Sequence, residues 1–245
     1  LTKKMSTIIL SSLRSFRDIN RIKSNRESME QIVSSMTKLY EKEGLNEFLS
    51  SSLCHLTTLI TKCNERIRLG ELCVVNGFVA VKQGDTNIFK LIDGHGKYVN
   101  YIGRTIRETV SASNFMKLSN LYNEGDHILY PDSYMAKYKS SAGNQAIVFI
   151  ENNNNMNYID IELLDIFHKS VSATFDSLCL NIEIEETQKE ILYTLGEVTE
   201  ARSEETGYHV KRVSKYCELL AEKYGLPPRD VMVLTHATPI HDIGK

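Results

Sequence analysis

Residues 71–81 read ELCVVNGFVAV. The run is short, Val-rich and apolar almost throughout, which is the signature of a buried strand. Everything before it has a different period. Residues 5–23 place Ile9, Leu13, Phe16 and Ile19 at helical spacing, with Arg14, Arg17, Arg21 and Lys23 among them as a solvated face. Residues 26–41 repeat the pattern through Met29, Ile32, Val33, Met36 and Leu39. Gly44 then supplies a helix stop, and a third helix is expected over 45–61 through Phe48, Leu49, Leu53, Leu56, Leu59 and Ile60. His55 on that helix reads as structural or exposed.

After the strand, Gly84 and Asp85 make a turn into a second strand at 86–92, so the pair reads as a hairpin. Asp93 to Lys97 is a further turn, followed by a short strand at 98–102. A helix is expected over 105–122, weakened by Val110 and its Ser and Asn content. Strands follow near 126–130, 134–138 and 145–150, with a polar turn at 152–155. Asp126, His127 and Asp132 read as surface residues. Helices, then five or six antiparallel strands with an inserted helix, then a long helix, make an α+β layout. It is the order of a GAF-like or PAS-like sensor fold.

The chain of 245 residues carries a net charge of −2, so bulk electrostatics give no case for a nucleic acid polymer or an anionic membrane surface. No apolar run approaches the ~18 residues of a membrane span. Cys54, Cys63, Cys73, Cys179 and Cys217 are scattered and have no CxxC spacing, which favours reduced thiols in the cytoplasm. The first residue is Leu1 and already lies in a helical pattern, so the sequence reads as an internal fragment of a longer protein.

From Tyr158 a helix of about 45 residues is expected. Leu164, Phe167, Val171, Thr174, Leu178, Asn181, Glu185, Gln188, Leu192 and Leu195 follow alternating steps of three and four, a heptad seam with a polar middle. Either the first half packs on the sheet and the second enters the next domain, or the whole helix pairs with its copy in a parallel homodimer that transmits a register change.

The chemistry is concentrated in residues 201–245. Thr206 is a candidate N-cap for a helix to Tyr224, with Val210, Val213, Tyr216 or Cys217, and Leu220 on one face. Gly225 ends it and Pro227-Pro228 opens the next, where Val231, Leu234, Ala237 and Ile240 are expected to face inward. A pair of hard divalent ions needs nitrogen and oxygen ligands, one of which bridges. The adjacent His241 and Asp242 suit that, His209 adds a nitrogen from another helix, and Glu205 precedes His209 by four residues. Lys245 is placed to hold a phosphate oxygen. His236 has no role in this pattern.

The joint pattern of Glu205-Thr206-Gly207-Tyr208-His209 with Arg212, then His241-Asp242-Ile243-Gly244-Lys245, resembles the HD-GYP family of metal-dependent phosphohydrolases that hydrolyse cyclic di-GMP. The resemblance implies metal ligation by His209, His241 and Asp242, a further ligand in Glu205, catalytic roles for Asp242 and Lys245, and two or three iron or manganese ions. Arg212 is read as structural. Residues 1–200 resemble the GAF-like region of unknown function found between a receiver domain and an HD-GYP domain in some response regulators. This implies a receiver upstream and a histidine kinase as partner. The expected domains are a linker helix at 1–25, a GAF-like domain at 26–180, a signalling helix at 181–204, and the first helices of an all-α HD-type domain at 205–245. The competing readings are a non-catalytic dimeric sensor module and an HD-type phosphohydrolase of another nucleotide.

Overall fold

The computed structural model describes residues 44–65, 74–152, 156, 161–200 and 208–242. The helices expected at 5–23 and 26–41, and Glu205, Thr206 and Lys245, lie outside the described residues. The chain forms two compact units, Leu1–Cys179 and Leu180–Lys245.

The first unit is α+β. Helix α1 spans Leu45–Glu65, as the apolar spacing predicts. Five strands follow: β1 (Val75–Lys82), β2 (Phe89–His95), β3 (His127–Leu129), β4 (Ser133–Lys139) and β5 (Gln145–Asn152). They form one sheet in the order β2-β1-β5-β4-β3, with every neighbouring pair antiparallel. Two short helices, α2 (Ile106–Thr109) and α3 (Ala112–Glu124), lie between β2 and β3. A 40-residue helix, α4 (Ile161–Glu200), follows the sheet.

The sheet is covered on both faces, and this explains the unbroken apolar run of β1. On one face Val75, Val79, Tyr134, Ala136, Tyr138, Val148 and Ile150 pack with Phe48, Leu49, Leu53 and Leu56 of α1 and Leu164, Phe167, Val171 and Phe175 of α4. On the other, Phe78, Ala80, Met135, Ile147 and Phe149 pack with Tyr98, Ile106, Leu118 and Leu121. The period-2 alternation thus feeds two cores rather than one. Gly77 is required where α1 comes closest: a Cβ there would lie 2.9 Å from the Phe149 carbonyl oxygen and 3.1 Å from Leu53 Cδ1.

Four expectations are corrected. The strand predicted at 98–102 is a 3-10 helix, Gly96–Tyr101. Gly96 adopts φ 64°, the chain folds back, and Lys97 N–H donates to Asn76 Oδ1 at 2.9 Å. Tyr98 is thereby buried edge-on against Phe78, with centroids 5.1 Å apart. The single helix predicted at 105–122 is broken, because Val110 is extended (φ −98°) and Ser111 caps a new helix by accepting from Asn114 N–H. The whole-helix pairing seam is also overturned in its first half. Leu164, Phe167, Val171 and Thr174 are buried, and Leu178 half-buried, in the unit's own core.

His127 was expected at the surface, but it is half-buried beside His168 of α4, with ring centroids 4.5 Å apart. His168 is 6% exposed and stacks on Tyr138 at 5.1 Å, and its Nδ1 has no hydrogen-bond partner among the described residues. The hydroxyls of Tyr134 and Tyr138, on the same sheet face, are likewise unpaired, and burial pushes both phenols up. Burial, reinforced by the nearby His127 charge, pulls His168 down to about 4. The unfolded chain therefore binds more protons than the folded one between about pH 6.5 and that value, so stability is lost as pH falls through this window. We expect the first unit to lose about 2–3 kcal/mol from this group on acidification. In His168→Phe, urea unfolding from pH 7 to 4.5 should be less steeply pH-dependent than in wild type. An identical slope would show that His168 protonates freely in the fold.

Candidate metal centre

The second unit is all helical among the described residues. The C-terminal half of α4 packs with α5 (Tyr208–Tyr224), α6 (Pro228–Ala237) and a 3-10 turn, Thr238–Ile240. Helix α5 ends where predicted: Gly225 takes φ 78° and Leu226 N–H reaches back to the Ala221 carbonyl at 3.1 Å. Pro228 opens α6, as the Pro-Pro pair implies.

One hydroxyl ties the three helices together. Ser214 of α5 is fully buried, its Oγ donates to the Thr235 carbonyl of α6 at 3.0 Å, and it shares a 3.0 Å hydrogen bond with the Tyr193 hydroxyl of α4. Val210 of α5 is fully buried and Lys211 pairs with Glu197 of α4 at 3.0 Å. Gly196 of α4 completes the joint. A Cβ at that position would overlap the Pro239 carbonyl oxygen and lie 3.0 Å from Val210 Cγ1. Only a glycine lets the 3-10 turn settle there, and the turn carries His241 and Asp242 directly after it.

The inward face of α6 differs from the expectation. Thr235 and Pro239 are buried and Val231 and Ile240 are half-buried, whereas Leu234 and Ala237 are exposed. On α5, Tyr216 and Leu220 are exposed too. The helical period alone predicted a wider buried stripe than three short helices can cover, and the buried polar pair Ser214–Thr235 takes the centre of it. His236 lines a separate open groove of about 430 Å³ with Lys189, Glu218, Glu222 and Thr235, and none of the predicted ligands borders it.

Three of the four predicted metal ligands are described. His209 stands in the first turn of α5, and its ring centroid is 6.5 Å from that of His241. His241 Nδ1 lies 2.8 Å from the Thr238 carbonyl oxygen. A carbonyl only accepts, so the ring donates from Nδ1. Nε2 is 3.4 Å from Asp242 Oδ1. The ring orientation is thus held by the backbone, as it is for metal-ligating imidazoles. Among the described residues no three His, Cys, Asp or Glu side chains meet in a group able to hold an ion. The predicted ligands come together in two pairs, His209–His241 and His241–Asp242. With metal–nitrogen bonds of about 2.0–2.1 Å, two imidazoles on one ion need centroids at or inside the observed separation. Two imidazoles and a carboxylate are a donor set whose chemistry suits a divalent transition ion. Sequence reasoning missed Gly196, Tyr193 and Ser214, the residues that position this set; a lone glycine inside a helical pattern was the available signal.

The domain of unknown function DUF3369 matches residues 9–184. The 3'3'-cGAMP-specific phosphodiesterase 2 of Vibrio cholerae is 26% identical over 255 aligned residues, covering 100% of this chain and 45% of that protein. The cyclic di-GMP phosphodiesterase response regulator RpfG of Xanthomonas campestris is 36% identical over 63 residues, 26% of this chain and 17% of that protein. The chain therefore spans less than half the length of either relative. No helix among the described residues is long and apolar enough to cross a membrane.

Gly196→Ala should test the joint. Helix propensity alone would favour alanine by roughly 1 kcal/mol, whereas overlap with a backbone carbonyl costs about 1–3 kcal/mol. Thermal unfolding should show net destabilisation, and imidazole NMR should show a displaced His241. An unchanged melt would mean that the turn is not held against α4.

Proposed function

The chain belongs to the DUF3369 family, and on that footing we propose that it is the regulatory part and the first helices of a cyclic-dinucleotide phosphodiesterase. The first unit is the GAF-like regulatory module of a two-component response regulator, and the second opens an HD-GYP-type, metal-dependent hydrolytic domain. The substrate proposed is cyclic di-GMP. The observation that carries the reading is the His241 ring, held at Nδ1 by the Thr238 carbonyl with Nε2 beside Asp242 and the His209 ring 6.5 Å away on the neighbouring helix.

Iron or manganese ions held by His209, His241 and Asp242, with Glu205 as a further ligand, would supply Lewis acidity for phosphodiester hydrolysis near neutral pH. The residues of this chain orient them. The Thr238 carbonyl holds the His241 ring, and Oδ1 of the adjacent Asp242 lies beside its Nε2. Lys245 contributes a compact positive charge for a phosphate oxygen as charge develops.

A second substrate reading has specific support. The Vibrio relative matched over the whole chain is named for 3'3'-cGAMP, while the one named for cyclic di-GMP matches 26% of it. Both are 3',3'-linked cyclic dinucleotides, so the same phosphodiester chemistry serves either, and base recognition decides between them.

In a protein of the relatives' full length, His241→Ala or Asp242→Ala should each lower bound metal and reduce turnover of both dinucleotides by more than about a hundredfold. His236→Ala should leave both unchanged. Full activity and full metal content in the His241 variant would refute the site. Hydrolysis of 3'3'-cGAMP without hydrolysis of cyclic di-GMP would keep the site and replace the substrate.

A further inference from the structure

The C-terminal half of α4 has two opposite apolar faces. Tyr193 and Gly196 form the face that packs on α5 and the 3-10 turn. About 180° round the helix, at 3.6 residues per turn, lie Ile184, Ile191, Leu195 and Val198. They are 52%, 54%, 46% and 63% exposed; residues 180–188 are exposed all round, and along 189–199 the stripe lies opposite the covered face. Their spacing is not random. Asn181, Ile184, Gln188, Ile191, Leu195 and Val198 run in strict alternation of three and four, which is a heptad seam. It shares Asn181, Gln188 and Leu195 with the seam read from the sequence, whose first half is consumed by the core of the first unit.

We propose that this stripe is a homodimer interface, a parallel two-stranded coiled coil formed with a second copy of the chain through 181–198. Three features select a second copy over another occupant. A heptad repeat is complementary to itself: each apolar layer meets the identical layer of the copy. The polar layers, Asn181 and Gln188, can hydrogen-bond to their own counterparts in a parallel, in-register pair, and a polar residue at such a position specifies register. The flanking positions are nearly uncharged, with Glu185 alone among Leu180, Thr187, Leu192, Thr194 and Thr199. The remaining glutamates, Glu183, Glu186, Glu190 and Glu197, fall on the far side, so a parallel pair does not set like charges against each other. The face used by α5 and the 3-10 turn stays untouched, so pairing and the predicted metal ligands are compatible. The inference does not rest on the proposed function.

Sedimentation of the whole chain should show a reversible monomer–dimer equilibrium. Ile191→Glu and Leu195→Glu should each weaken it by more than about tenfold, by setting two carboxylates into an apolar layer. Their helical circular dichroism should be unchanged, because neither side chain belongs to the unit's own core. Glu190→Lys, off the seam, should leave the equilibrium intact. A photo-crosslinking residue at position 198 should capture peptides from around 195–198 of the second copy. Capture of residues 180–184 instead would make the pair antiparallel and overturn the proposed register. A chain that stays monomeric up to its solubility limit, or a dimer indifferent to both charged variants, would overturn the interface and leave the stripe to a different partner.

Discussion

The arrangement of the second unit depends on the absence of one methyl group. At Gly196 the backbone of a 3-10 turn comes close enough to α4 to exclude any side chain. A glycine inside a helix costs about 0.5–1 kcal/mol relative to alanine. The joint offsets that cost with direct contact between turn and helix, and with the buried Ser214 hydroxyl that reaches both Tyr193 and the Thr235 carbonyl. His209 and His241 both lie close to this joint in sequence. Val210, which crowds Gly196, is adjacent to His209, and Pro239 precedes His241 by two residues.

The first unit rests on a different constraint, a sheet that must be covered twice. Five antiparallel strands carry large apolar side chains on both faces, so one helical layer cannot dry them. α1 and the first half of α4 cover one face. The other is closed by short pieces, namely a 3-10 helix and two helices broken at Val110 and Ser111. The helical face admits several polar groups with little to pair with, His168 and the hydroxyls of Tyr134 and Tyr138 among them. Each unpaired buried group costs roughly 1–3 kcal/mol. Their clustering near β3 and β4 concentrates that cost in one part of the core.

Much of this was legible in residues 71–81 and their surroundings. Period and composition gave α1, the strands and the stops at Gly225 and Pro228, because these are decided by local chemistry. Tyr98 was misread because a β-prone aromatic residue was claimed by packing on Phe78 and Phe149 after Gly96 turned the chain. The α4 heptads left two readings open because a seam for a sheet and a seam for another helix share the same spacing; packing on β1, β4 and β5 selects the sheet for the first half. For the candidate site, residue types flagged His209, His241 and Asp242. They could not reveal that the Thr238 carbonyl fixes the imidazole, since a backbone acceptor has no sequence signature.

The two faces of α4 around residues 191–198 belong to fewer than three turns of a single helix. Gly196 and Tyr193 look one way, and Ile191 and Leu195 the other. A rotation of that segment about its own axis cannot be absorbed on one side alone, because the glycine contact has no slack. A partner on the outer face and a ligand at His241 would therefore be coupled if each favours a different orientation of the segment. If the two orientations of the segment differ in affinity for an ion, they differ by the same free energy in their affinity for an outer partner. Ion occupancy and pairing then become reciprocal quantities, each readable as a shift in the other's binding curve.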